Sequence, residues 1–165
     1  MADLTKLESK LGEVLGLAMA AQGATQKVKG LLGDDQEALA DLLDRMHEEA
    51  SETEERCTAL AGEFEGKKTA ILEQARETKQ SATEMMQTYL EGEDDALDGF
   101  EFLTMAEAGE VGHWSIVGKF NEEAGLQGVQ ELVEWALPIQ KRHLENVLDG
   151  SLELAGQENP DEVEE

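Results

Sequence analysis

The segment FLTMAEAGEVGHWSIV, residues 102–117, is apolar at both ends and carries Glu107, Glu110 and His113 in its middle, each three residues from the next. Phe100, Leu103, Glu107, Glu110, Trp114 and Val117 follow the alternating three- and four-residue steps of one helical stripe. Two carboxyls therefore occupy positions that a bundle helix buries, and His113 falls at the edge of the same face. A carboxylate in a core stripe is costly unless it is protonated, paired or bound to a cation. The segment predicts a helix with polar residues turned inward, and the rest of the chain has to supply helices that face it.

Periodicity elsewhere supplies them. Leu4, Leu7, Leu11, Val14, Ala18, Ala21, Thr25, Val28 and Leu32 form one stripe on a helix over about residues 3–30, with Gly33 as its C-cap and Asp34 or Asp35 as the next N-cap. Leu39, Leu43, Met46, Ala50, Thr53, Cys57, Leu60 and Phe64 mark a second helix, broken at GEFEG (62–66). A third helix, over about 67–91, has a thin apolar face of Ile71, Ala75, Ala82, Met85, Met86 and Leu90, and EGEDD (91–95) is the next turn. The opening segment belongs to the fourth helix, which starts near Ala96 and ends in NEEAGLQG. Val129, Val133, Ala136, Gln140, His143 and Val147 place the fifth, which runs to about Gly156, and Pro138 inside it predicts a kink. A single continuous helix over 34–91 is the alternative to the second and third.

No segment alternates as a strand does, so the chain is all-α. Helices of this length reach roughly 40 Å, and short turns make sequence neighbours antiparallel. With the third helix as a crossover, the second and fourth run parallel. Two long antiparallel hairpins joined by a crossover helix form the ferritin-like bundle. Residues 1–156 are expected to be one such domain and the acidic residues 157–165 a disordered tail.

Composition narrows the function. Asp and Glu number 38 against 13 Lys and Arg, a formal charge of −25. That charge argues against nucleic acid and anionic membranes as partners; it suits cations, a basic partner, high salt, or solubility alone. Cys57 is the only cysteine, so no intramolecular disulfide can form. The apolar run VLGLAMAA (14–21) follows Asp3, Glu8 and Glu13 rather than a basic stretch and continues a helical stripe. It reads as neither a signal peptide nor a membrane span, and cytoplasm is the default location. Nucleotide-binding glycine loops, catalytic triads and zinc-knuckle spacings are absent from the sequence.

The fifth helix breaks its own stripe with Gln140 and His143, again three residues apart. The turn before it centres at 125–126, which sets Glu110 opposite Gln140 and Glu107 opposite His143. Glu-x-x-His on facing bundle helices is the carboxylate-bridged di-iron or di-manganese arrangement; EVGH fits it, and QKRH fits with Gln in place of the acid. Glu107, Glu110, His113, Gln140 and His143 are thus candidate ligands for iron or manganese. Glu49 and Glu52 are the best candidates on the second helix, whose stripe otherwise offers Met46, Ala50 and Thr53. The first helix offers only Ala18 and Ala21 at this height. The alternative is a buried hydrogen-bonded network of Glu, Gln and His that holds no metal and only fixes helix register.

Three segments resemble the YciF-type stress-protein group of the ferritin-like superfamily, over about residues 10–150. They are MHEEASETEERCTAL (46–60), GHWSIVGKF (112–120) and ELVEWALPIQKRHLENVL (131–148). The resemblance implies a helical bundle, a homodimer, a metal site between the two hairpins and a stress or metal-handling role. Residue by residue it carries over His113 and Glu49. Gly112 and Ser115 stand where that group has acids beside the shared His113, Thr53 stands where it has a His, and Pro138, Ile139 and Gln140 replace a Glu run.

Overall fold

The computed structural model describes residues 2–92 and 95–164. Five helices, α1 (Lys6–Lys29), α2 (Glu37–Ala61), α3 (Lys68–Tyr89), α4 (Ala96–Ala124) and α5 (Gln127–Ala155), make an all-α bundle. None of them is long and apolar enough to cross a membrane.

Local chemistry sets the helix ends. Thr5 and Glu8 form a capping box: the Glu8 N–H donates to Thr5 Oγ1 at 3.1 Å, and the Thr5 N–H donates to Glu8 Oε1 at 2.8 Å. α1 ends at Gly30, not Gly33, because the N–H groups of Leu31 and Leu32 donate to the carbonyls of Val28 and Lys29 and tighten the last turn. The N-cap of α2 is Gln36, not Asp34 or Asp35, since a backbone bond from the Gln36 N–H to Gly33 O closes the turn first. The expected break after α2 is present, and Gly66 makes it with φ 75°, so residues 34–91 are not one helix. Of the EGEDD turn, Glu93 and Asp94 lie outside the described residues. Asp95 caps α4 by accepting from the Leu97 N–H at 2.7 Å.

α4 and α5 meet through a two-residue turn. Gly125 takes the left-handed conformation and donates to Asn121 O at 2.8 Å. The buried Asn121 amide then bonds both the N–H and the carbonyl of Leu126, each at 3.0 Å. α5 continues without interruption through Pro138. Residues 157–164 follow it as exposed turns and coil.

Contacts between helices give their directions. Lys29 pairs with Asp44, and Gln22 with Glu54, so α1 and α2 are antiparallel. Lys67 reaches Glu8, while Gly12 lies against Ile71 and Gly16 against Ala75, so α3 runs parallel to α1. Gly99 of α4 packs on Val28, and His113 meets Lys10, which makes α4 antiparallel to α1. α5 runs antiparallel to α2, with Gly128 near Leu60 and Gly150 near Leu39.

Buried apolar residues fall into two clusters. One gathers Leu11, Leu15, Cys57, Leu60, Trp114 and Val117; the other gathers Val28, Leu43, Met46, Phe100, Leu103 and Val147. On each helix the two sets lie on either side of the middle. Arg56 stacks its guanidinium 4.1 Å from the Trp135 ring centroid and ties α2 to α5 beside the first cluster. At mid-height, between the clusters, the interior is polar.

Candidate functional site

α4 and α5 build this layer. The stripe that buries Leu103 and Trp114 also buries Glu107 and Glu110, and the stripe that buries Ala136 and Val147 also buries Gln140 and His143; all four are 2–3% exposed. The Gln140 amide, oriented to satisfy its surroundings, donates to Glu107 Oε2 at 2.6 Å and to Glu110 Oε2 at 3.2 Å. His143 Nδ1 lies 3.7 Å from the same Glu107 oxygen. On the other side of its ring, His143 Nε2 is 3.0 Å from Glu49 Oε1, which reaches in from α2. Glu49 is in turn held by Arg142, one residue before His143, and by Arg45 at 3.6 Å. The row reads Glu49, His143, Glu107, Gln140, Glu110 across three helices.

Electrostatics assign its protons. Burial raises the pKa of Glu110 well above the ordinary carboxyl range, and the Coulomb repulsion and hydrogen bond of Glu107 raise it further. Burial works against the charged form of His143, but the hydrogen bond and charge of Glu107, then those of Glu49, outweigh it and raise the imidazole pKa. Partial burial likewise opposes ionisation of Glu49, while Arg142 and His143 together hold its pKa below the ordinary value. Glu110 therefore favours its neutral form and Glu49 its ionised form, with an imidazole between Glu49 and Glu107 that favours its charged form. One atom is left over: Glu110 Oε1 is buried and meets no hydrogen-bond donor.

As the short α4–α5 turn leads one to expect, Glu107, Glu110, Gln140 and His143 lie together, and Glu49 joins them. His113 and Glu52 do not. His113 sits beside α1, with Nδ1 at 3.3 Å from Lys10 Nζ and 3.5 Å from Glu13 Oε2; burial and Lys10 lower its pKa. Glu52 is exposed and paired with Arg56 at 3.0 Å. The first-hairpin helices face the layer with Ala18, Ala50 and Thr53, whose hydroxyl donates to its own helix at Glu49 O. Among the described residues, no three Asp, Glu, His or Cys side chains gather in a group that could hold a metal ion. Sequence reasoning missed Arg142 as the partner of Glu49. Its side chain leans across to α2, and that register is set by no short turn.

Cys57 lies in the first cluster, with Leu60 and Trp114, where burial first, and the charge of Glu54 second, push its thiol up to about 12. It is an inert core residue.

No protein-family model matches the chain, and comparisons with curated proteins and with solved structures gave no significant match.

Proposed function

We propose that this protein is a ferritin-like bundle whose mid-height polar layer is held by protons and hydrogen bonds, and that it acts as a metal-free structural or stress-associated interaction protein. The observation that carries this reading is at His143, which directs Nε2 at Glu49 and Nδ1 at Glu107. Arg142 adds a second cation on Glu49, so the layer already contains its counter-charges. The ferritin-like part draws support from the helix directions. α1 with α2 and α4 with α5 are two antiparallel hairpins, and α3 returns the chain along the outside of α1 between them.

A second reading keeps iron or manganese, and the unpartnered Glu110 Oε1 favours it. Glu107, Glu110, the Gln140 carbonyl oxygen and His143 Nδ1 would hold the ion, and Glu49 would orient His143 through Nε2. When bound, the metal would supply redox chemistry with oxygen or peroxide. In that reading Glu110 gives up its proton to the solvent, and Gln140 turns its amide nitrogen away from the two carboxyls.

Metal analysis of protein purified without chelator, together with melting curves in added Fe²⁺ or Mn²⁺, separates the two. The metal-free reading expects far less than one ion per chain and an unchanged melting temperature. About one ion per chain, lost in Glu110→Ala, with a melting temperature that rises with added metal, would overturn it.

A further inference from the structure

α3 packs closely on α1 over only part of its length. A Cβ at Gly12 would stand 2.7 Å from the Gln74 side chain, and one at Gly16 2.4 Å from the Ala75 carbonyl oxygen. Beyond Ala75, from Arg76 to Tyr89, no α3 residue is buried, although Ala82, Met85 and Met86 are apolar. There a cleft of about 250 Å³ lies between α1, α3 and α4, along α4 from Phe102 to His113. Small side chains keep it open: Ala20, Ala21 and Ala24 line it from α1, and Ala82 from α3. Met85 and Met105 also line it and are 67% and 54% exposed, so they stand where it meets solvent.

The ionisable groups of its wall present little to it. Glu107 and Glu110 are 2% and 3% exposed, so almost none of their surface meets the cleft, and Gln140 bonds both from α5. Glu110 Oε1, which meets no donor, is itself buried. His113 directs Nδ1 at Lys10 and Glu13, neither of which lines the cleft. Among the described residues of the lining, Thr83 is the one other polar side chain, and none is Lys or Arg. The accessible wall is therefore apolar, and Met85, Met86 and Met105 make it adaptable.

We propose that this cleft binds a small uncharged molecule of largely apolar surface, about the size of two fused rings. A cavity of about 150 Å³ holds benzene, so one of about 250 Å³ suits a bicyclic molecule. A charged ligand would lose hydration against a wall that turns no counter-charge toward it, and an anion would also meet the formal charge of −25. The site rests on neither reading of the polar layer, because Glu107 and Glu110 give the cleft almost no surface.

The test is titration with indole, followed by amide NMR shifts. Indole-3-carboxylate serves as the anionic counterpart and tryptamine as the cationic one, at an ionic strength that screens long-range attraction. Indole is expected to saturate one site, with shifts centred on residues of the cleft, and both charged analogues should bind roughly tenfold more weakly. A Cβ at Gly109, which lines the cleft, would have no atom within 4 Å. Gly109→Leu and Ala82→Leu add bulk from α4 and from α3; each should melt cooperatively and weaken indole roughly tenfold. Indole binding that does not saturate, that either charged analogue equals, or that persists unchanged in both folded variants would overturn the proposal.

Discussion

Glu110 lies between a second carboxyl, an amide and an apolar cleft, and these surroundings favour its neutral form. Its folded pKa lies above its unfolded one, so the native state keeps a proton that the unfolded chain releases. Stability from this group is full below the unfolded value of about 4.5 and falls as pH rises through the folded pKa. His143 has the same sign from about 6.5 upward. Glu49 has the opposite sign: its contribution is present above about 4.5 and lost on further acidification. Glu110→Gln replaces the neutral acid by a neutral amide of the same shape. It should raise Tm at pH 8 and have little effect near pH 4.5. Melting curves of the two proteins across that range check it; a variant less stable at pH 8 would show that Glu110 is ionised there. That Glu107 and Glu110 face inward is legible in the sequence, because the stripe they interrupt is otherwise apolar. That Glu110 favours its neutral form is not, since it depends on how deeply the folded bundle buries it beside Glu107.

At the scale of helices, α1 and α3 approach closely over Gly12 and Gly16. A Cβ at Gly16 would stand 2.4 Å from the carbonyl oxygen of Ala75, which is backbone and cannot yield without moving α3. Gly109, on the exposed side of α4, has only open space around it. Gly16→Ala should therefore cost about 1–3 kcal/mol, and Gly109→Ala should gain about 1 kcal/mol from helix propensity. Urea denaturation of both variants tests this; a Gly16→Ala protein as stable as the parent would contradict the close packing of α1 on α3. The α4–α5 register was readable because a short turn near 125–126 fixes which residues oppose each other, and Glu107 with His143 and Glu110 with Gln140 follow from it. The α2–α5 register has no such constraint, so the Arg142–Glu49 pair had no sequence signal. The start of α2 misled for a local reason: Asp34 and Asp35 are good caps by type, but the backbone turn ending at Gln36 preceded them in effect.

Across the whole molecule, a polar layer at mid-height separates two apolar clusters, and α4 and α5 supply nearly all of it. The same stripe that packs Trp114 and Phe100 carries the carboxyls, so the layer is anchored by core residues above and below. A five-helix all-α bundle was legible from periodicity alone. Spacing sets His113 at the edge of the inward face, and it turns toward Lys10 and Glu13, because a second consecutive step of three along the helix carries a residue around to the α1 side. The surplus of acids also makes the protein as a whole respond to pH, since protonating surface carboxyls lowers their mutual repulsion. Bulk stability against pH therefore mixes the layer with the surface, and a direct view of the buried proton is needed. Infrared difference spectroscopy of chelator-treated protein at pH 7, wild type against Glu110→Gln, gives that view. The predicted result is a protonated-carboxyl C=O band in the wild type that the variant lacks; a spectrum with only ionised carboxylates would contradict a layer held by protons and hydrogen bonds.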